Sequence, residues 1–217
     1  MTTQEARTVC ILRRMRRKQF SLFSLRGYDP TKATPDELKF DVLDDRERMT
    51  GQLAYEKLGI KFLKIEDTNL STPWGQGTIR TSKEGVRILL SGRELFLMGG
   101  SILKRGFELT SPGGLKLVFH PVKGKRNDIE YSDGNGFIGV VEEKGKFSAP
   151  PQGHALQPTK EEINAMPKES RPRSVESLEY VQYRIKIAGT FPVSQDDLVA
   201  ALTIFASYGC LISEIPT

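Results

Sequence analysis

Apolar and polar residues alternate over short stretches of this chain, which is the pattern of β-strands with one buried face. Leu38, Phe40 and Val42 alternate with Lys39 and Asp41, and similar short runs continue as far as residue 141. Glycine-rich turns separate these runs at intervals of roughly 8–12 residues. The spacing predicts a mainly β protein, an antiparallel sandwich or a closed or nearly closed barrel of about 10–12 strands.

Two parts of the chain depart from this regular alternation. Residues 7–15 and 19–25 are both β-competent and flank a run of basic residues. Residues 148–173 contain five prolines, which predict a surface excursion with one short helix after Thr159. Because little chain follows the excursion, a second core is not expected there. We therefore predict a single β-barrel domain over 1–217.

The C-terminal segment predicts one buried helix. Ser194 stands three residues before Asp197, which is the spacing of a capping box, and no charged residue occurs over 198–213. With Gly209 as its stop, the predicted helix covers 195–208 and is ~21 Å long, too short to cross a bilayer. A helix that is apolar all round is buried all round. We expect it inside a closed barrel; the alternative is a helix packed across one mouth or face of a sandwich.

This arrangement resembles the tubby-like fold of tubby C-terminal domains, phospholipid scramblases and LURP-one-related proteins. The resemblance is carried by residues 39–45 (KFDVLDD), by 62–67 and 107–114, and by the closing helix at 196–206. It implies a barrel of about twelve strands around a hydrophobic helix, and a non-catalytic scaffold whose basic surface binds an anionic headgroup or a partner.

The chain departs from scramblases in several features. It lacks their proline-rich N-terminus, their cysteine cluster and their C-terminal membrane anchor. Lipid scrambling is therefore not carried over from the resemblance.

Basic residues are concentrated in two blocks of the sequence. The net charge is +5, but residues 1–26 hold seven Lys/Arg against one acid, and residues 80–126 hold ten against three. Such asymmetry is expected of a protein with an anionic partner. The alternative is a set of solvated strand faces that only keep the protein soluble.

Three clusters within these blocks form the predicted anion-binding site. We expect binding through ten residues: Arg13, Arg14, Arg16, Arg17, Lys18, Lys104, Arg105, Lys123, Lys125 and Arg126. The leading hypothesis is a non-enzymatic anion-binding or scaffold module that binds anionic phospholipid headgroups, such as phosphoinositides, or an acidic protein partner. A nucleic-acid-binding protein or ribonucleoprotein subunit is the second hypothesis. An uncharacterised enzyme using His120 and a nearby acid is the third.

Catalytic and metal-binding signatures are not found in the sequence. No Gly-x-Ser-x-Gly elbow occurs, and His120 is expected in the core or at a rim. A calcium site built from Asp128, Glu130 and Asp133 is conceivable but lacks EF-hand spacing. We predict no catalytic residue, no metal and no cofactor.

The remaining features concern location and isolated residues. Cys10 and Cys210 are expected as buried, reduced thiols, with a disulfide between them as the alternative. With no signal peptide or transmembrane segment recognised, we expect a cytoplasmic protein, peripheral at a membrane under the leading hypothesis. Trp74 is expected to be buried in a turn, with an exposed lipid or partner anchor as the alternative.

Overall fold

The computed structural model describes residues 5–21, 38–57, 60–61, 64–65, 67–101, 106–125, 128–145, 165, 167 and 174–213. These described residues form fourteen strands and one long helix. Their bounds are β1 Arg7–Ser21, β2 Lys39–Leu43, β3 Met49–Tyr55, β4 Ile60–Lys61, β5 Lys64–Ile65, β6 Thr68–Thr72, β7 Gly75–Thr81, β8 Val86–Leu90, β9 Arg93–Ser101, β10 Gly106–Thr110, β11 Lys116–Pro121, β12 Ile129–Ser132, β13 Gly136–Gly145, β14 Ser174–Gly189 and α1 Gln195–Ser213.

Twelve of the strands close into one antiparallel barrel, which confirms the predicted fold class. The order around the barrel is β1-β14-β13-β12-β11-β10-β9-β8-β7-β6-β3-β2, and β1 pairs with β2 to complete the circle. Most neighbours in the barrel are also neighbours in sequence, because short turns join successive strands. The strands β4 and β5 form a separate two-stranded sheet.

The helix α1 occupies the interior of the barrel and supplies its core. Every residue over 198–208 is buried, and Leu202 and Ile204 are completely inaccessible. The Phe205 ring lies 5.4 Å from that of Phe107 and 5.5 Å from that of Phe119, measured between centroids. These contacts fix the helix against the β10–β11 wall. The helix is therefore enclosed by the barrel, as predicted, and does not lie across a mouth.

The helix begins as predicted but ends later. The Asp197 amide donates to the Ser194 hydroxyl at 3.4 Å, which is the expected N-cap. The prediction that Gly209 stops the helix is wrong, because α1 continues to Ser213 and Gly209 does not have a positive φ. Cys210 and Leu211 are buried beyond it, so packing of the next turn outweighs the helix-breaking tendency of a glycine.

Two other expectations differ from the structure or lie outside it, and one strand was not predicted. Residues 7–15 and 19–21 belong to one strand, because β1 runs through the basic residues to Ser21, and residues 22–25 of the second predicted segment lie outside the described residues. Strand β6 was not predicted from the sequence, although its residues alternate between buried and exposed positions. The excursion at 148–173 and its helix lie outside the described residues, apart from positions 165 and 167.

The two ends of the barrel are distinguished by the direction of α1. We call the end where α1 begins the lower end; there the Arg93 guanidinium bonds both Asp197 carboxylate oxygens, at 2.9 and 2.6 Å. We call the end where α1 finishes the upper end; there the Tyr55 hydroxyl lies 2.6 Å from that of Ser207. The turn between β11 and β12 and the second half of β1 also lie at the upper end, as the antiparallel registers require.

Candidate anion-binding end of the barrel

The topology brings the chain segments that carry the three basic clusters to the upper end. Strand β1 runs from the lower end towards the upper end, so its basic run follows the wall upwards. Lys123 and Lys125 occupy the β11–β12 turn, and both are exposed. The third cluster falls between Ser101 and Gly106, which pair with each other at the upper ends of β9 and β10. Lys104, Arg105 and Arg126 themselves lie outside the described residues.

The basic run continues along a two-stranded ribbon. Strand β1 pairs with β2 only at residues 11–13, whereas its pairing with β14 continues through Ser21. Arg16, Arg17 and Lys18 stand in register with Glu179, Leu178 and Ser177 of β14. Three consecutive basic positions are therefore carried by a ribbon that extends past the β1–β2 seam.

Arg13 belongs instead to a network of ion pairs on the outer wall. Its Nε and Nη2 donate to the Gln182 amide oxygen at 3.0 and 2.8 Å, and Nη2 lies 3.3 Å from a Glu47 carboxylate oxygen. Arg184 joins the same network through Glu143 at 2.8 Å. The Arg184 hydrogen bond holds the pKa of the Glu143 carboxyl below its usual range. The Arg13 charge is thus shared with nearby carboxylates.

Arg14 is buried inside the barrel, so its guanidinium is withdrawn from the surface expected for an anion site. Its side chain is only 2% exposed, and its guanidinium carbon lies 5.3 Å from the centre of the Phe40 ring. Its Nη1 lies 3.7 Å from the Cys210 sulfur in the last turns of α1. Consecutive strand residues point to opposite faces, so when Arg13 faces outwards Arg14 faces the core. The basic run, which only Met15 interrupts, concealed this alternation.

Lys125 is partly engaged within the β11–β12 turn. Its Nζ lies 3.4 Å from an Asp128 carboxylate oxygen, while Asp128 is buried and accepts a hydrogen bond from the Glu142 amide at 2.8 Å. The Lys125 side chain is 62% exposed, so its side of the pair faces solvent although Asp128 is buried. Lys123 and Lys125 both remain accessible to an anion from solution.

The two cysteines are free and buried, as expected. Burial raises the pKa of the Cys10 thiol, despite a hydrogen bond from the Thr203 hydroxyl. Burial also raises the pKa of Tyr55. The Ser207 proton is donated to the Ile204 carbonyl at 2.8 Å, so Tyr55 acts as the donor to Ser207. The Cys10 thiol and the Tyr55 and Ser207 hydroxyls therefore have hydrogen-bond partners inside the core and do not face solvent.

The candidate calcium residues do not assemble into one site, whereas His120 has an acidic residue as its strand neighbour. His120 is exposed at the upper end of β11, in register with Glu130. Asp128 lies at the upper end and Asp133 at the lower end, because β12 runs between them. Asp133 accepts hydrogen bonds from the amides of Asn135 and Gly136. Within the described part of the chain, no group of His, Cys, Asp and Glu could hold a metal ion.

Sequence reasoning missed two shallow cavities at the lower end. They lie on either side of the Arg93–Asp197 ion pair and have volumes of about 510 and 490 Å³. Trp74 lines the first of these cavities. It is half-buried, which is intermediate between the buried and the exposed position expected for it. The Arg93–Asp197 pair joins residues 104 positions apart, so local sequence patterns carry no signal for it.

Among the described residues, no helix combines the length and the hydropathy needed to cross a membrane. A comparison of the chain with protein-family models, characterised proteins and solved structures finds no match.

Proposed function

We propose that this protein is a non-enzymatic module whose upper end binds anionic phospholipid headgroups. The observation that carries the proposal is the arrangement of the barrel: strand order brings the β1 ribbon, the β9–β10 strand ends and the β11–β12 turn to one end. Cations that are distant in sequence can then act on one anionic surface. The sequence resemblance to tubby-like proteins points the same way, as a resemblance only.

The structure narrows the set of residues that we assign to binding. Arg14 is buried and Arg13 is paired with Glu47, so neither is offered to a ligand in the way the sequence suggested. We assign binding to Arg16, Arg17 and Lys18 on the ribbon, and to Lys123 and Lys125 on the turn. A basic residue near an anionic leaflet contributes about 1 kcal/mol, so five give a binding energy of roughly 5 kcal/mol that weakens with salt.

Co-sedimentation with vesicles tests this assignment. Wild-type protein should sediment with phosphatidylcholine vesicles that contain phosphatidylserine or a phosphoinositide, and not with phosphatidylcholine alone. Replacing Arg16, Arg17 and Lys18 by Ser should weaken binding roughly 100-fold, at about 1 kcal/mol for each charge.

The matched control removes three charges from the lower end. The triple variant Arg7→Ser, Arg46→Ser and Lys116→Ser has the same net charge but leaves the upper end intact, and it should bind as wild type does. Equal loss in both triple variants would show that net charge alone determines binding. Tighter binding to single-stranded RNA than to vesicles, measured at two salt concentrations, would favour the nucleic-acid hypothesis instead.

A further inference from the structure

Within the described part of the chain, the second half of β1 pairs along one edge only. Strand β1 makes fourteen register pairs with β14 but only three with β2, and the last of those three is Arg13 with Asp41. Among the described strands, residues 15–21 therefore have a neighbour on one side only. The backbone N–H and C=O groups on the other side of such a strand are directed away from the ladder.

An edge strand of this kind accepts another extended chain. Backbone groups form strong and obligatory hydrogen bonds, and a peptide that adds as one more strand satisfies them. Seven residues at about 3.3 Å each give an edge of roughly 23 Å, the length of an ordinary strand. The backbone geometry alone permits addition of a peptide of any sequence.

The charge of the edge selects the partner. Arg16, Arg17 and Lys18 occupy three consecutive positions of β1, and consecutive positions of a strand alternate between its two faces. Like charges directly opposite one another destabilise a strand pair, and this disfavours pairing between the β1 edges of two copies of the chain. A strand with acidic residues would be attracted by these basic residues, whereas a second β1 would be repelled by them.

We infer that residues 15–21 of β1 take up an extended acidic segment of a partner protein as an additional antiparallel or parallel strand. This inference goes beyond the proposed function. It shares three basic residues with the lipid site, but it depends on backbone pairing that a lipid headgroup does not require. If the protein does not bind vesicles, the strand-addition inference is unaffected. If the peptide does not add as a strand, the lipid-binding proposal is unaffected.

Fluorescence anisotropy with a labelled peptide of eight residues, alternating Glu and Val, tests the inference on the full chain. A second peptide of identical sequence carries an N-methyl group on every amide, which preserves its charge but removes the hydrogen-bond donors from both of its edges. We expect the unmodified peptide to bind and the N-methylated peptide to bind at least 10-fold more weakly. Hydrogen exchange should then slow at the amides of residues 15–21.

Two results would overturn the inference. Equal affinity for the two peptides would mean that charge attracts the peptide without strand addition, and absence of binding would mean that the edge is not available. The variant with Arg16, Arg17 and Lys18 replaced by Ser should lose affinity for the unmodified peptide. The lower-end control with Arg7, Arg46 and Lys116 replaced by Ser should retain it.

Discussion

Arg14 places a charged group inside the barrel, where two contacts to its guanidinium offset part of the cost of burial. The helix α1 has no basic residue in its last turn, where the helix dipole is negative. Arg14 brings a guanidinium to Cys210 in this region and lies over the Phe40 ring. Both interactions favour the charged form, and both are strengthened by the low dielectric of the interior.

We expect Arg14→Met to lower the free energy of unfolding by about 1 kcal/mol. Methionine fills much of the same space, so the loss reports the charge acting on the helix end and on the Phe40 ring. Arg14→Ala should lose about 3 kcal/mol, because it also leaves a cavity. Urea unfolding at neutral pH measures both changes. If Arg14→Met proves more stable than wild type, desolvation of the guanidinium outweighs its contacts.

The Glu143–Arg184 pair makes stability depend on pH in a known direction. The folded-state pKa of Glu143 lies below its ordinary value of 4.5, so the carboxylate stabilises the fold above that pH. The contribution is lost as the pH falls through the lowered pKa. Because the Glu143 side chain is 40% exposed, we expect it to be worth only about 0.5 kcal/mol.

Glu143→Gln tests this dependence by urea unfolding across the acidic range. The difference in unfolding free energy from wild type should be largest near neutral pH and should shrink towards zero in acid. Glu130→Gln, which removes an exposed carboxylate outside this network, is the control. A difference that stays constant from neutral to acidic pH would show that the Glu143 charge does not contribute.

At the level of elements, the sequence predicted strands and helix from local patterns and failed where a tertiary contact decided the outcome. The alternation of apolar and polar residues identified β2, because one face of that strand is buried. The continuous apolar run identified α1, because the helix is buried on all sides. The β1 strand was divided at its basic run, since five cations in six residues do not look like a strand. Backbone pairing with β14 stabilises the extended conformation that the local sequence does not favour. The 14 register pairs continue through the basic run.

The continuation of α1 past Gly209 gives a test at this scale. Gly209 is helical without a positive φ, and a Cβ added there would meet no atom within 4 Å. Gly209→Ala should therefore raise the free energy of unfolding by about 0.5–1 kcal/mol. The control is Gly85→Ala, which should destabilise, because Gly85 has a φ of +152° and its added Cβ would lie 2.3 Å from the Met98 carbonyl oxygen. Loss of stability in Gly209→Ala would indicate a helix that ends at Gly209.

At the scale of the whole molecule, the candidate site arises from strand order, which the sequence does not state. The three basic clusters can be identified in the sequence. Only the barrel topology, however, brings the chain segments that carry them to one end. The same topology turned Arg14 inwards and joined Arg13 to Glu47, so the local run overstated the number of available cations. The order of residues shows where charges lie along a chain. The register of a strand and the face on which a residue lies determine whether solvent can reach its side chain.

The barrel and its helix form one structure because the helix is the core around which the wall closes. Leu202 is completely buried at the middle of α1, and wall strands enclose it. Leu202→Asp places a charge without a partner in this core, at an energetic cost that exceeds the stability of an ordinary domain, so we expect no soluble folded protein. Leu202→Ala should remain folded and lose about 3 kcal/mol in urea unfolding.

A control variant with a carboxylate on the same helix but outside the core distinguishes the effect of burying a charge from the effect of adding one. Gln195→Asp places the carboxylate in the exposed first turn of α1, where the helix dipole favours it, and should fold normally. Circular dichroism and the thermal melting transition compare the three variants. Soluble Leu202→Asp protein with a cooperative transition would mean that α1 can leave the barrel without unfolding it. The helix would then be a docked element, and the wall would have to be stable without a core.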